Sequence, residues 1–158
     1  MTRPRASWGA GPKWGLASAV YFVGAMGAHV LWYPRSEIRQ VPQVALAVAG
    51  GALVVVGIAI YLAAAVAIRK GLKEGRLVTS GLYSLVRHPL YASHMLFVVP
   101  GIALLLRSWP LLPMPLYMYI AFRILIPAEE RALADRFGLK FEQYRKRTNA
   151  VFPKLRRG

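Results

Sequence analysis

The chain has 158 residues, of which 56% are hydrophobic, and carries a formal net charge of +15. This apolar content exceeds that of an ordinary soluble domain and indicates an integral membrane protein with a single domain over residues 1–158. The absence of cysteine excludes disulfides and thiolate sites, and the spacing of the histidines is not that of a metal site. The basic residues lie beside apolar segments, which indicates that they contact lipid headgroups rather than nucleic acid.

Apolar segments predict an all-α fold with about four transmembrane helices, because about 20 helical residues cross a hydrocarbon core of about 30 Å. The spans are expected at about residues 14–33, 43–68, 89–106 and 109–127. Basic residues precede the first span, as in a secretory signal, but its length favours a retained helix. In the fourth span we expect distortion before Pro115 and a bend at Pro127, with a new helix after it.

Small residues in the first two spans indicate surfaces where helices approach closely, and such faces also make an oligomer possible. The glycines expected there are Gly24, Gly27, Gly50 and Gly51. His29, near the outer end of the first span, is interpreted as an interfacial polar residue.

The lysines and arginines lie mainly before the first span, between the second and third, and after the fourth. The positive-inside rule then places both termini on the cytoplasmic side of the cytoplasmic membrane. Residues 128–158 are expected to form a cytoplasmic cap that contains an amphipathic interfacial helix, broken near Gly138.

The segment of residues 77–91 brings a turn, two tyrosines, an arginine and a histidine to the start of the third span. Ionisable groups at a membrane boundary indicate a functional site. His88 precedes a proline and is therefore the expected N-cap, where exposed amides attract a carboxylate. Glu129 and Glu130 follow the fourth span on the same face, so the two segments are expected to form one pocket.

Several motifs of the C-terminal half resemble the isoprenylcysteine carboxyl methyltransferase and phospholipid methyltransferase family. They are Leu77-Val-Thr-Ser-Gly-x-Tyr83, Arg87-His-Pro-x-Tyr91, Glu129-Glu130-x-x-Leu133, Phe137-Gly138, and Tyr144 followed by Pro153. The resemblance implies an integral membrane methyltransferase that uses S-adenosylmethionine, yields S-adenosylhomocysteine, and acts on a lipophilic or prenylated acceptor.

The resemblance also implies a set of cofactor-binding residues. They are Leu77, Val78, Tyr83, Arg87, His88, Pro89, Leu90, Tyr91, Glu129 and Glu130. A carboxylate at Glu129 can accept both hydroxyls of a ribose, and the aromatic face of Tyr83 or Tyr91 can stabilise a sulfonium cation. Arg87 and Glu130 are expected to pair structurally, because adjacent glutamates point about 100° apart on a helix.

The catalytic candidates are His88, Tyr91 and His94. An amine acceptor requires a base, for which either histidine is a candidate, whereas a carboxylate or thiolate requires none. The identity of the acceptor therefore stays open. The alternatives are a methyltransferase of phospholipid amines, a methyltransferase of small thiols or amines, and a non-catalytic protein that keeps the fold. The tyrosines could also be interfacial anchors.

Two positions depart from the carboxyl methyltransferases of the family. Leu125 stands where they have an arginine, and Thr148-Asn149-Ala150 replaces their Val-Pro-Arg. The nearest arginine is Arg123, which is interpreted as a snorkelling residue or a substrate clamp. These departures leave the recognition of a prenylcysteine carboxylate undecided.

Overall fold

A computed structural model describes residues 10–154, and within that range the chain forms helices and connecting loops without a β-strand. Arg3, Arg5, Arg156 and Arg157, which contribute to the predicted charge bias, lie outside the described residues. The helices are α1 (Ala10–Leu31), α2 (Gln43–Lys73), α3 (Leu82–Leu85), α4 (Pro89–Ser93), α5 (Val99–Leu105), α6 (Met114–Phe137) and α7 (Leu139–Arg147). A π-helical segment (His94–Val98) joins α4 to α5, and a 3₁₀ turn (Trp109–Leu111) precedes α6.

Three helical segments are long and apolar enough to cross a membrane, namely α1, α2 and Trp109–Phe137. The predicted third span is the shorter apolar helix Pro89–Leu105, about 25 Å long at 1.5 Å per residue. It packs along α2 over most of its length. The prediction of an all-α integral membrane protein is confirmed, with three helices long enough to span. That the shorter helix also crosses the membrane stays a prediction.

The third span changes its hydrogen-bonding pattern in its middle. The amide of Val99 donates to the carbonyl of His94, five residues earlier, which is the spacing of a π-helix. Pro100 has no amide to donate to Leu96, so the ordinary ladder cannot continue at this point. The π segment widens the helix next to His94, and nothing in the apolar pattern predicted it.

Glycines bring α2 and the third span into close contact. A Cβ atom added to Gly50 would lie 2.7 Å from the carbonyl oxygen of Gly101, and the reverse distance is also 2.7 Å. The expectation for Gly50 is therefore correct. It is wrong for Gly24, Gly27 and Gly51, where an added Cβ would meet no atom of another segment within 4 Å.

Packing of α1 against α6 depends on aromatic side chains instead of glycines. The indole of Trp14 donates a hydrogen bond to the carbonyl of Met118 at 2.9 Å. Tyr21 stacks on Tyr117 with a ring separation of 4.8 Å. Gly24 and Gly27 of α1 are thus left on the outer surface of the bundle.

Helix α6 continues without a break through Pro127. The predicted new helix after Pro127 is wrong, because Glu129 and Glu130 lie within one long helix, whereas the bend at Pro127 stays a prediction. A proline removes a single backbone hydrogen bond, and the burial of Phe122 and Ile126, five residues and one residue before it, favours continuation of the helix. The helix ends at Gly138, whose φ of 54° favours glycine, so the predicted break at this position is confirmed.

Candidate functional site

The start of the third span is held by the segment that follows α7. The amide of Arg87 donates to the carbonyl of Asn149 at 2.8 Å, and the amide of His88 donates to that of Ala150 at 3.0 Å. His88 occupies the predicted N-cap position, but its side chain does not cap the helix. The imidazole is therefore available for contacts with α6.

Arg87 and Glu130 form the ion pair that the sequence predicts. The Nη2 atom of Arg87 lies 2.7 Å from Oε1 of Glu130, and the two side chains are only 11% and 12% exposed. The guanidinium also donates to the carbonyl of Thr148. A mostly buried ion pair needs such additional hydrogen bonds, because each charge loses solvation on burial. The pair thus links the third span, α6 and the segment after α7.

His88 lies between the two glutamates. Its Nε2 atom is 3.1 Å from Oε1 of Glu130, and its Nδ1 atom is 4.0 Å from Oε1 of Glu129. The other carboxylate oxygen of Glu129 accepts a hydrogen bond from the Tyr91 hydroxyl at 3.0 Å. Because Glu130 is neutralised by Arg87, Glu129 is the carboxylate with capacity left for a ligand.

Glu129 and His88 face a cavity of about 240 Å³ between the loop after α2 and the last two helices. Every predicted cofactor residue except Glu130 lines this cavity: Leu77, Val78, Tyr83, Arg87, His88, Pro89, Leu90, Tyr91 and Glu129. Glu130 lies behind His88 instead. The structure therefore brings the two predicted segments together on one face of the molecule.

Five further lining residues were not among the predicted cofactor residues, although two of them belong to the family-like motifs: Ile68, Leu72, Leu133, Phe141 and Tyr144. Leu133, Phe141 and Tyr144 recur at helical spacing, and this recurrence could have indicated that they face the cavity. Nothing distinguishes Ile68 and Leu72 from other apolar residues of α2.

Tyr144 links α7 to the short helix α3. Its hydroxyl donates to the carbonyl of Tyr83 at 2.6 Å. Burial, together with the nearby charge of Glu129, raises the pKa of Tyr83 to about 12. Burial also raises the pKa of Tyr144 above its ordinary value. Both phenols therefore stay neutral at physiological pH, and Tyr144 keeps the proton that its hydrogen bond requires.

The third catalytic candidate, His94, lies apart from the cavity. Its Nδ1 atom is 3.0 Å from the carbonyl oxygen of Leu90, and its ring meets Tyr61 and Trp14 edge-on at 5.1 and 6.1 Å. The structure thus does not bring His94 together with His88 and Tyr91.

A second cavity, of about 420 Å³, lies on the other side of the Arg87–Glu130 pair. It continues towards an apolar groove of about 200 Å³ through the shared residues Tyr119, Val151 and Phe152. Arg123 lines the larger cavity and donates to the Tyr119 hydroxyl at 3.2 Å. The cavity and the groove together extend from the Arg87–Glu130 pair to a surface of apolar side chains.

Across residues 10–154, no group of three or more His, Asp or Glu side chains is arranged to hold a metal ion. The expectation of a metal-free site stays a prediction.

Comparisons with known proteins point to one family. The sequence model of the isoprenylcysteine carboxyl methyltransferase (ICMT) family matches residues 42–135, a range that includes both site segments but not α7. The cobalt-zinc-cadmium resistance protein CzcN of Cupriavidus metallidurans is 40% identical over 89 residues, which cover 54% of this chain and 39% of that protein.

Two further relatives have similar coverage. The nickel-cobalt-cadmium resistance protein NccN of Alcaligenes xylosoxydans xylosoxydans is 35% identical over 89 residues, covering 54% of this chain and 39% of that protein. The protein-S-isoprenylcysteine O-methyltransferase of Schizosaccharomyces pombe is 35% identical over 81 residues, covering 51% of this chain and 34% of that protein. The match spans well under half the length of these curated relatives.

Proposed function

The chain belongs to the isoprenylcysteine carboxyl methyltransferase family, and we propose that it transfers a methyl group from S-adenosylmethionine to a lipophilic acceptor. We place it in the cytoplasmic membrane as a single domain with both termini in the cytoplasm. The observation that carries the proposal is the convergence of His88, Tyr91 and Glu129 on one cavity.

The residues around the smaller cavity fit the chemistry of this cofactor. The 4.0 Å gap between Nδ1 of His88 and Oε1 of Glu129 is too long for a direct hydrogen bond and leaves both atoms available to ligand hydroxyls. The walls beside them are apolar or aromatic, which suits a nucleoside base and a sulfonium cation. S-adenosylmethionine, when bound, would supply a sulfonium methyl group whose carbon the acceptor attacks in line, with S-adenosylhomocysteine as the leaving group.

We assign each residue a role from its position. Glu129 accepts hydrogen bonds from ribose hydroxyls, while Tyr91 fixes the orientation of its carboxylate. Glu130 and Arg87 hold His88 in place from behind. Tyr83 and Tyr144 keep the loop and α7 together, so that water is excluded from the reacting groups.

The acceptor is proposed to come from the bilayer. The apolar groove and the adjoining cavity of about 420 Å³ provide a route from the surface of α6 to Arg87, which also lines the proposed cofactor cavity. If the acceptor is an amine, His88 is favoured over His94 as the base, because His94 lies among Trp14 and Tyr61. A carboxylate or thiolate acceptor needs no proton removed.

Binding of S-adenosylhomocysteine to the purified protein in neutral detergent tests the cofactor site. Calorimetry is expected to give a micromolar Kd, and Glu129→Gln is expected to weaken binding at least about tenfold through loss of charge-assisted hydrogen bonds. Asp135→Asn, at an exposed carboxylate of the same helix, is the matched control and should leave the Kd unchanged. A wild-type protein that does not bind the product would contradict the proposal.

Transfer of a labelled methyl group into a fractionated lipid extract tests the reaction itself. Labelled lipid is expected with the wild type and at a much lower level with Glu129→Gln. Mass spectrometry of the product separates carboxylate, amine and thiol acceptors. Cofactor binding without any transfer would favour the non-catalytic alternative.

A further inference from the structure

A cavity of about 610 Å³ lies next to the proposed cofactor site but outside it. One wall is a face of α7, whose cavity-lining residues recur at helical spacing: Lys140, Gln143, Tyr144 and Arg147. The opposite wall is formed by Ser84 and by the loop that follows α2. The lining residues of this loop are Gly75, Arg76, Leu77 and Thr79. The two cavities share Leu77 and Tyr144 as a common wall.

Three cations approach this space from two sides. Arg76 comes from the loop, and Lys140 and Arg147 come from α7. Arg76 pairs with Glu74, but Glu74 does not line the cavity. Within the described chain, no acidic side chain is among the lining residues.

The other lining groups are neutral and polar, or apolar. Thr79, Ser84 and Thr148 contribute hydroxyls, and Gln143 contributes an amide. Arginine and lysine side chains are donors only, so a ligand that matches this lining must supply negative charge and several acceptor oxygens. A phosphate group does both, since its oxygens accept the fork of a guanidinium while its charge offsets an ammonium.

We propose that this basic cavity binds a phosphate group attached to a small polyol, of the glycerophosphate type. The volume exceeds that of the cofactor cavity and leaves room for more than the phosphate itself. The hydroxyl and amide side chains give the polyol its hydrogen-bonding partners. Such a group is available either free in the cytoplasm or as the headgroup of an anionic phospholipid.

The location of the basic cavity indicates that it is distinct from the proposed cofactor site. The cations of the basic cavity are on exposed parts of the loop and α7, whereas Glu129 and His88 lie beyond the shared wall. An occupant would contact Leu77 and Tyr144 from the side opposite the cofactor. The two ligands should therefore bind at the same time.

Calorimetric titration with glycerol 3-phosphate, on the full chain in neutral detergent at constant ionic strength, tests the proposal. Saturable binding is expected. The double variant Lys140→Gln/Arg147→Gln should weaken it at least about tenfold, because each lost charge-assisted hydrogen bond is worth about a factor of ten. Arg131→Gln/Arg136→Gln removes two exposed charges of α6 that do not line the cavity and should change the Kd less than about twofold, as expected for surface charges screened by salt.

Two additional arms identify the source and the location of the ligand. In nanodiscs in which about one-fifth of the lipid is phosphatidylglycerol, binding of glycerol 3-phosphate should be abolished if the lipid headgroup is the natural ligand. Binding should stay intact if the free compound is the natural ligand. Either result supports the site. Saturating S-adenosylhomocysteine should leave binding intact. Absence of saturable binding, equal losses in the two double variants, or displacement by S-adenosylhomocysteine would each overturn the proposal.

Discussion

Glu130 connects several parts of the site through its carboxylate. One of its oxygens contacts both the Arg87 guanidinium, at 2.7 Å, and the His88 imidazole, at 3.1 Å. Arg87 in turn binds the backbone after α7. Changing Glu130 therefore affects the third span, α6 and the C-terminal segment together, although none of its atoms lines the proposed cofactor cavity.

We expect Glu130→Gln to lower the free energy of unfolding by about 3 kcal/mol, because it leaves the Arg87 charge mostly buried without its counter-charge. Thermal denaturation in detergent measures the loss. Glu142→Gln is the matched control: its partner Arg145 is 3.7 Å away and both side chains are about half exposed, so it should cost no more than about 0.5 kcal/mol. Equal losses for the two variants would show that the buried pair has no special role.

At the scale of secondary structure elements, the contact between α2 and the third span is fixed by backbone proximity. The carbonyl oxygens of Gly50 and Gly101 each lie only 2.7 Å from the position that the other residue's Cβ would take. Close approach of this kind allows helices to pack without large side chains, as is common in membranes. The contact also fixes the position from which Pro89 and Tyr91 reach the site.

We expect Gly101→Ala to destabilise the protein by about 1–3 kcal/mol, since the added methyl must push the helices apart. Gly51→Ala is the control, because its Cβ would meet no other segment and alanine favours the helix. Comparing the two melting temperatures in detergent isolates the packing effect from helix propensity. A Gly101→Ala variant as stable as Gly51→Ala would contradict the close contact.

Local sequence signals predicted the elements well but not their continuation or their contacts. Charge-free stretches predicted the spans, and Gly138 predicted a helix end, because both depend on neighbouring residues alone. Pro127 was misread, since whether a proline ends a helix depends on the packing around it. The contacts of Asn149 and Ala150 with the third span use backbone groups, which every residue has, so no side-chain pattern marks them.

For the site, the ionisable groups stood out because they are unusual at a membrane boundary, whereas the apolar lining residues were predicted only from the family resemblance. His94 was included as a candidate base for an amine acceptor, and the structure places it among aromatic rings instead. The position of a histidine along a helix does not show which neighbour its ring faces. The apolar lining from α2 was missed for the opposite reason, since Ile68 and Leu72 look like every other lipid-facing residue.

Across the whole molecule, the site, the basic cavity and α7 lie together at one end of the spans. The loops at the other end contact each other through an ion pair in which Arg107 lies 3.1 Å from Glu37. Because lysine and arginine cluster near the site, the positive-inside rule predicts that this end faces the cytoplasm. A cofactor supplied from the cytoplasm requires this orientation.

The orientation can be tested cleanly, because the chain has no cysteine and any introduced thiol is unique. Gln40→Cys places an exposed thiol in the loop before α2, and Asp135→Cys places one on the end of α6 beside the site. In intact cells, we expect a membrane-impermeant maleimide to label Gln40→Cys, and to label Asp135→Cys only after the membrane is permeabilised. Wild-type chain, which cannot react, sets the background for both. The reverse labelling pattern would place the site outside the cytoplasm, where a cytoplasmic cofactor could not reach it.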